Sequence, residues 1–425
     1  MLNSEYSCAV SFDLSKAFDL CDHNIIIEKL KVYGIRGHAL DWFISFLSNR
    51  TQRVCIDGKL STNINAVKLG VPQGSTLGVI LFLIYINDLP SATNFPVNYF
   101  ADDSTFTFSS KSPANLEEMV NSELPYMIEW FHSNKLCVNL KKSSYMVFSP
   151  KLSSSPRLTI HISNNNVNIP LRQIPDQEQG ETSMRLLGVN LDERLSLKDH
   201  ISNICKSLSK SLFFLSKVKN ILPLYCRKQL YFAHIHSHLM YCLPLLSMAY
   251  QSDVNKLEKL QRKALRITFN VGYRADVLPL YHDINTLCVS DLIQRNIIDF
   301  MNNLHWYGKP DIFKGFWKKI EKDCYLFRYS YNFELPLIKN VRLSHLPQFK
   351  FAEIFNHFPK DFKWTIERRE FLEYLNVFYH QKYEYKDCTK DICKICSYEK
   401  WKNERKKYIS SVKSYDFTRY SKTNT

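Results

Sequence analysis

Three aspartates in the first quarter of the chain have a setting that suits metal-ion chemistry. Asp13 ends an alternating apolar segment, and Asp102 and Asp103 stand side by side between two further alternating segments. Adjacent carboxylates repel each other, so a bound cation would compensate them. Such ligands suit Mg²⁺, and two ions about 4 Å apart can activate a hydroxyl and stabilise a leaving phosphate. Taken alone, the Asp-Asp pair is better explained by turn chemistry.

The segments around these aspartates predict strands that can bring them together. Residues 6–13 alternate between apolar and smaller or polar residues, which predicts a strand. Residues 97–108 predict a hairpin with the two adjacent aspartates at its tip. Because Asp13 and Asp102 are remote in the sequence, they can act together only if these strands are neighbours in one sheet.

Other local patterns predict the elements that surround these strands. Helical spacing of apolar residues predicts helices over 23–33, 38–48, 79–87, 114–133, 225–247, 253–269 and 287–305. Asp57-Gly58 predicts a hairpin between strands at 51–57 and 62–68. A further strand is expected from Leu136 to about Phe148. The pattern becomes helical and basic from residue 197 onward, after a polar stretch at 149–182 that marks the best boundary.

The composition is that of a globular, basic protein. The 425 residues are 45% hydrophobic and 23% charged, with 11 Gly and 16 Pro, which excludes a mainly disordered or collagen-like chain. The net charge of +15 suits nucleic acid or an anionic membrane surface as a partner, although a basic globular protein without such a partner has the same charge. Many of the aromatic residues lie close to Lys or Arg, which is compatible with base stacking but also with core packing.

The sequence shows no recognisable targeting signal or transmembrane segment, and this bears on where in the cell the protein is expected. The longest apolar run, residues 77–86, has half the length that a transmembrane helix needs. The first twenty residues lack the features of a secretory signal. The 12 cysteines follow no framework spacing and suit a reducing compartment. We therefore expect a protein of the nucleus or cytoplasm that is neither secreted nor membrane-spanning.

Six segments in a fixed order resemble one protein family. They are FDLSKAFD (12–19), GVPQGSTLG (70–78), LFLIYINDLP (81–90), YFADD (99–103), KLCVNLKKS (135–143) and RLLGVNLDERLSLKDHI (185–201). In this order and spacing they resemble the reverse transcriptases of non-LTR, LINE-type retrotransposons, and most of all the jockey-like branch. The resemblance implies an RNA-directed DNA polymerase that adds dNTPs to a DNA primer on an RNA template.

The resemblance implies a fold and a division of the chain. The fold is α+β: a right-hand polymerase palm with an antiparallel sheet and packed helices, followed by a helical thumb and a helical C-terminal region. We expect the palm at 1–150, a hairpin and primer-grip connection at 151–196, the thumb at 197–310, and a basic, aromatic region of unknown role at 311–425. The oligomeric state is not predicted.

The resemblance also implies the catalytic and metal-binding residues. Asp13 and Asp102 correspond to the two metal-binding aspartates of the family, with the Leu14 carbonyl as a possible further ligand and Asp103 as the less central neighbour. The cofactor is expected to be two Mg²⁺ ions, which Mn²⁺ can replace. Lys142 corresponds to a lysine that protonates or neutralises pyrophosphate, although the adjacent Lys141 leaves this register open by one residue.

Further positions are implied to contact the substrates. Phe18 stands where a bulky aromatic residue collides with a ribose 2′-hydroxyl and so favours deoxynucleotides. Gln73 and Gly74 correspond to a loop that packs on the template and the incoming nucleotide. Leu187 and Gly188 resemble the primer grip. Asp19 is expected to be structural.

Departures from the family pattern limit the expected activity. Only twelve residues precede Asp13, where complete members have finger elements, and no endonuclease pattern is present. We therefore expect a chain truncated at its N-terminus, with weak or no polymerase activity by itself. The alternative is a remnant that only binds nucleic acid. Smaller departures are Phe100, where Tyr is common, and Val79, where Pro is common.

The C-terminal region has a pattern with two interpretations. His380, Cys388, Cys393 and Cys396 have spacings that could hold zinc, but a second CxxC pair is missing. Ordinary reduced cysteines are the more economical interpretation.

Overall fold

The computed structural model describes residues 5–149, 155–164, 167–176, 180–319, 333–337, 344–358 and 368–380. The chain divides into two compact units, Met1–Leu195 and Ser196–Thr425. The first contains helices and strands, and the described elements of the second are helical. The expected order, an α+β part followed by a helical part, is therefore confirmed at this level. Cys388, Cys393 and Cys396 of the zinc hypothesis lie outside the described residues, and His380 ends the last described helix.

The first unit begins with a strand that leads into three helices and two small hairpins. Its elements up to residue 86 are β1 (Tyr6–Phe12), α1 (Ala17–Leu20), α2 (His23–Val32), α3 (His38–Leu47), β2 (Arg50–Gln52), β3 (Cys55–Ile56), β4 (Lys59–Leu60), β5 (Asn65–Val67) and α4 (Thr76–Ile86). Asp57-Gly58 forms the predicted two-residue turn, with positive φ at both residues, as a type I′ hairpin requires. This turn closes the short hairpin β3–β4, while β2 pairs with β5 outside it.

The rest of the first unit supplies the remaining strands and one long helix. These elements are β6 (Val97–Phe100), β7 (Asp103–Ser110), α5 (Pro113–Ser133), β8 (Ser144–Phe148), β9 (His161–Asn164), β10 (Val167–Pro170), β11 (Arg172–Ile174), β12 (Met184–Leu186) and β13 (Val189–Leu191). The hairpin predicted at 97–108 is present as β6–β7. The strand predicted from Leu136 begins only at Ser144. Residues 139–143 turn instead, because the Asn139 carbonyl accepts hydrogen bonds from the backbone N–H groups of Lys142 and Ser143.

A five-stranded sheet holds the first unit together. Its order is β11-β8-β1-β7-β6, so β1 lies between two antiparallel neighbours, and only β11 runs parallel to its partner. Cys8, Val10 and Phe12 of β1 alternate onto one face and are buried in the main core, where α5 also contributes its buried side chains. Ala9 packs on the other face in a smaller cluster with Met146 and Ile174. Both faces of β1 are therefore buried, and its register is strongly specified.

The second unit is a set of helices. They are α6 (Lys198–Val218), α7 (Leu224–Tyr231), α8 (Ser237–Met240), α9 (Gln251–Phe269), α10 (Leu278–Ile284), α11 (Val289–Tyr307), α12 (Pro347–His357) and α13 (Arg368–His380). The helix predicted over 225–247 is broken. A π-helical turn spans Phe232–His236, and a separate 3₁₀ helix covers Leu243–Met248 with Pro244 near its start. In the described part of the chain, no helix combines the length and the apolar character that a membrane crossing requires.

Candidate active site

The pairing of β1 with β7 brings two of the three aspartates together. Phe12 pairs with Ser104 in the antiparallel register. Asp13 follows Phe12 and Asp103 precedes Ser104, so the two aspartates lie side by side on neighbouring strands. Residues opposite each other in such a ladder have Cα atoms about 5 Å apart. Asp102 lies in the two-residue loop between Phe100 and Asp103, which pair with each other. The three carboxylates thus share one end of the sheet.

The strand end that carries Asp13 is fixed to the core by its neighbour. Phe12 is fully buried. Its ring meets those of Phe106 and Phe131 edge to face, with centroids 5.5 and 5.9 Å away. Such pairs add to the stabilisation from buried apolar area. The position of Asp13 is therefore determined by packing.

The neighbouring carboxylates affect the ionisation of Asp103. Partial burial raises the pKa of Asp103, and the charges of Asp102 and Asp13 raise it further. Arg185, on β12, acts in the opposite direction. This residue belongs to the hairpin whose turn is Leu187-Gly188, so the predicted primer-grip turn lies on a hairpin within electrostatic range of the aspartates. Sequence reasoning did not select Arg185, although it is the first residue of a quoted motif.

A tight turn clasps the backbone of Asp13. The Asp13 N–H donates to Ser143 Oγ at 3.2 Å, and the Asp13 carbonyl accepts from the Asn139 N–H at 2.8 Å. Ser143 is fully buried and also donates from Oγ to the Asn139 carbonyl at 2.9 Å. Sequence reasoning missed both residues, because it assigned this segment to a strand. They hold both polar backbone groups of Asp13.

Lys142 lies on the same turn and faces the aspartate. Its Nζ is 3.8 Å from Asp13 Oδ2, and its side chain is 70% exposed. An ion pair this exposed contributes little stability and exchanges readily with other partners. The structure thus places Lys142 beside the aspartates, while Leu14 continues past Asp13 into an isolated antiparallel bridge with Val138.

The segments that carry Phe18 and Gln73 run side by side. The Phe18 ring stacks on Phe82 of α4, with centroids 4.3 Å apart, which holds it against the core. The Phe18 carbonyl accepts a hydrogen bond from the Val71 N–H at 2.8 Å. Gln73 Nε2 donates to Asp19 Oδ1 at 2.8 Å. Asp19 is thus a direct partner of a predicted nucleotide-binding residue.

Two predicted positions lie in turns with left-handed backbone. Gly74 has φ +78°, and a Cβ at this position would meet no atom within 4 Å, so open space lies beside it. Leu187 and Gly188 have φ +45° and +82° and form the turn between β12 and β13. A leucine rarely adopts this conformation, and such residues cluster at functional sites.

The aspartates fit Mg²⁺ as far as their donor chemistry is concerned. Their oxygens are hard ligands, and the strand pairing puts their negative charges at the same end of the sheet. Among the residues that the structure describes, no three His, Cys, Asp or Glu side chains form a preassembled metal cage. Mg²⁺ does not need one, because it is commonly held by one or two carboxylates, water and the phosphates of the substrate.

Comparison with protein families agrees with the motifs. Residues 1–191 match the family model "Reverse transcriptase (RNA-dependent DNA polymerase)". The RNA-directed DNA polymerase from mobile element jockey of Drosophila melanogaster is 26% identical over 319 residues, which cover 72% of this chain and 33% of that protein. The probable RNA-directed DNA polymerase from transposon BS of the same organism is 24% identical and covers 71% and 33%. The chain therefore spans about a third of the length of these relatives.

Solved structures give only a distant likeness. Telomerase from Candida tropicalis, in complex with a TWJ fragment of telomeric RNA, aligns with a TM-score of 0.31 and 12% identity, covering 90% of this chain and 48% of that chain. Apo telomerase from the same organism aligns with a TM-score of 0.30 and 13% identity, covering 91% and 52%. Scores this low carry no structural argument. The resemblance to jockey-like reverse transcriptases, by contrast, is confirmed at the level of sequence.

Proposed function

We propose that this chain performs RNA-directed DNA synthesis, because residues 1–191 match the reverse transcriptase family model and the chain is similar to a jockey polymerase. The primer 3′-hydroxyl attacks the α-phosphate of a dNTP, and pyrophosphate leaves. The observation that carries the proposal is the pairing of β1 with β7, which gathers Asp13, Asp102 and Asp103 at one end of the sheet.

The aspartates have distinct roles in this proposal. Asp13 and Asp102 would hold two Mg²⁺ ions, with the Leu14 carbonyl as a further ligand, and Mn²⁺ could substitute. When bound, the ions supply activation of the attacking hydroxyl and stabilisation of the leaving phosphate. Asp103 adds negative charge beside them. The clasp by Ser143 and Asn139 keeps the Asp13 backbone in place, which matters because phosphoryl transfer depends mainly on positioning and electrostatics.

Other residues select and orient the substrates. Phe18, held in place by its stack on Phe82, excludes a ribose 2′-hydroxyl. Gln73 and Gly74 contact the incoming nucleotide beside the template. The exposed Lys142 exchanges its long contact with Asp13 for pyrophosphate. Leu187 and Gly188 approach the primer end on the hairpin that also carries Arg185.

The two parts of the chain correspond to the polymerase subdomains in this proposal. Residues 1–150 form the palm, 151–196 the primer-grip connection and 197–310 the thumb. Exposed basic side chains support a thumb that tracks a nucleic-acid backbone; on α6 and α9 they are Lys198, Lys206, Lys210, Lys217, Lys256, Lys259, Arg262 and Lys263. Contacts of this kind give affinity that depends on salt and not on sequence.

Primer extension tests the proposal. The chain is incubated with primed RNA, dNTPs and Mg²⁺, beside the variants Asp13→Asn and Asp102→Asn. We expect each variant to lose activity by at least about a hundredfold, the scale of losing one electrostatic group in a preorganised site. Asp41→Asn is the matched control, because Asp41 is an exposed aspartate on α3.

The outcome separates synthesis from binding alone. Extension that survives Asp13→Asn contradicts the catalytic assignment. If neither the parental chain nor a copy joined to a family-like finger segment extends a primer, but the chain binds an RNA–DNA hybrid with affinity that falls steeply with salt, it is a nucleic-acid-binding protein and the polymerase proposal is wrong.

A further inference from the structure

Two neighbouring aromatic side chains on α6 are exposed. Phe213 is 64% exposed and Phe214 is 48% exposed, whereas Leu208, Leu212 and Leu215 of the same helix are buried. A helix on the surface of a globular protein usually presents polar side chains on its outer face. Large apolar side chains that are exposed together are typical of an interaction surface.

Lysines flank the two phenylalanines on the same side of the helix. Lys210, Phe213, Phe214 and Lys217 occupy positions i, i+3, i+4 and i+7, which share one side of an α-helix. Both lysines are exposed. Lys217 Nζ lies 5.3 Å from the centre of the Phe213 ring. These four residues, called the α6 aromatic face below, combine flat apolar rings with cationic groups.

The π-helical turn that follows α7 contacts this face. The ring of Phe214 meets the exposed ring of His234 edge to face, with centroids 6.0 Å apart. His234 belongs to the π-helical turn Phe232–His236, and such turns are frequent at functional sites. The contact restricts the Phe214 ring on one side, so the aromatic surface is partly ordered before anything binds to it.

The charge around the α6 aromatic face has one sign. Residues 200–252 contain no Asp or Glu but have six basic residues, which are Lys206, Lys210, Lys217, Lys219, Arg227 and Lys228. The helix α9 packs against α6 and does carry Asp253 and Glu258. Both of these carboxylates are largely buried, and they pair with Lys256 and Arg262. The surroundings of the two phenylalanines therefore suit a polyanion.

We propose that the α6 aromatic face binds unpaired RNA, with bases stacked on Phe213 and Phe214 and phosphates beside Lys210 and Lys217. Exposed rings between cationic side chains suit a single strand, because bases are free to stack on a protein only outside a duplex. An RNA–DNA hybrid offers its phosphates to the lysines but not its bases to the rings. The inference rests on the proposed function, in which the strand that is copied is an RNA whose bases are unpaired before synthesis.

Equilibrium binding of the full chain to labelled oligonucleotides tests this surface without any catalysis. The ligands are an unpaired RNA of about 12 nucleotides, the same RNA with abasic sites, and the same RNA paired with DNA. Phe213→Ala/Phe214→Ala should raise the Kd for the unpaired RNA by about tenfold or more, the scale of one or two stacked bases, and change the Kd for the hybrid by less than about twofold. On the abasic RNA, the variant and the parental chain should bind alike.

Two further variants serve as a check and a control. Phe213→Leu/Phe214→Leu keeps apolar side chains on the helix but removes the rings, so it should show the same loss on unpaired RNA. Tyr126→Ala removes an exposed aromatic side chain from α5 of the first unit and should leave every Kd unchanged.

The salt dependence of binding tests the lysines. Lys217→Gln should lower the slope of log K against log salt for unpaired RNA by about 0.7, the value for one lost phosphate contact on a single strand. Lys111→Gln, at an exposed lysine of the first unit, should leave the slope unchanged. An unchanged slope in Lys217→Gln contradicts the phosphate contact.

The outcomes distinguish unpaired RNA from other partners. An equal loss on unpaired RNA and on the hybrid, or no loss on either, overturns the proposal. Tighter binding of unpaired DNA that depends on the rings overturns the assignment to RNA. If the phenylalanine variants keep RNA binding but lose binding to vesicles of equal parts phosphatidylcholine and phosphatidylserine, the face binds an anionic membrane and the proposal is wrong. Ring-dependent RNA binding by a chain that extends no primer would instead reject the proposed function and leave this surface intact.

Discussion

Replacing Gly70 with alanine should disrupt the loop that carries Gln73 far more than the same change at a similar glycine elsewhere. Gly70 has φ +86°, and its added Cβ would lie 2.7, 2.8 and 2.9 Å from three backbone atoms of Asp19. Gly34 has the same φ of +86°, but a Cβ there meets no atom within 4 Å. The pair of variants therefore shares the backbone strain and differs in the clash.

The expected loss of stability is the sum of backbone strain, overpacking and weakened hydrogen bonds. The left-handed backbone costs an alanine about 1–2 kcal/mol, which the stiffer unfolded chain offsets by about 0.4–1 kcal/mol. We therefore expect Gly34→Ala to lower the free energy of unfolding by about 1 kcal/mol. At Gly70 the contact with Asp19 adds about 1–3 kcal/mol of overpacking. Weakening the hydrogen bonds that join residues 70–71 to Cys21, Phe18 and His23 adds about 1 kcal/mol for each that breaks. If one of these bonds breaks, the expected total is about 3–5 kcal/mol.

Urea unfolding of the two variants measures the difference, because the midpoint and slope give the free energy of unfolding. Gly74→Ala is a second control inside the loop, with φ +78° and open space around its Cβ. If Gly70→Ala and Gly34→Ala lower the free energy of unfolding by the same amount, within about 0.5 kcal/mol, residue 70 does not lie as close to the Asp19 backbone as described. The segments that carry Asp19 and Gln73 would then not be held at a fixed spacing.

Three further changes test other contacts of the site. Partial burial and the charges of Asp102 and Asp13 raise the pKa of Asp103, so the ionised form of Asp103 destabilises the fold. Asp103→Asn should therefore stabilise the protein at pH 7, by less than about 1 kcal/mol because Asp103 is largely exposed. This gain, measured by urea unfolding, should fade as the pH falls toward about 4 and below, where the carboxyl group becomes protonated in both states. Ser143→Ala should cost about 1–3 kcal/mol by removing the partner of the Asp13 N–H, whereas the exposed helical Ser122→Ala should stay within about 0.5 kcal/mol; equal values contradict the clasp. Phe18→Ala should raise incorporation of ribonucleotides relative to deoxynucleotides by about 10- to 100-fold, and an unchanged ratio rejects the steric role.

Segments with strong periodicity were predictable from the sequence because their structure depends on local pattern. The helices at 23–32 and 113–133 and the hairpin at 97–108 form close to their predicted bounds. Asp57-Gly58 forms its turn because few other residue pairs tolerate two consecutive positive φ values. The errors occur where distant contacts overrule local preference. Leu136 to Lys142 has strand-like alternation, yet its backbone bonds to Asp13 and Ser15 and then turns.

The catalytic candidates were identifiable as residue types, but their supporting contacts were not. Asp13, Asp102, Phe18 and Gln73 stand in motifs that can be recognised one segment at a time. Ser143 and Arg185 carry no local signal of their roles, because each acts on a residue far away in the chain. The role of Lys142 stays a prediction, although the structure places it beside Asp13.

The amino-acid sequence alone determined the element types, the ordered motifs and hence the family that the first 191 residues resemble. Only the tertiary structure decided that β1 lies between β7 and β8, that a buried serine clasps Asp13, and that Asp19 holds the amide of Gln73. The physical reason is how far apart in the sequence the interacting residues are. Helical and strand periodicity arises from neighbours within a few residues, whereas register and side-chain partnership arise from packing between segments that the chain brings together only on folding.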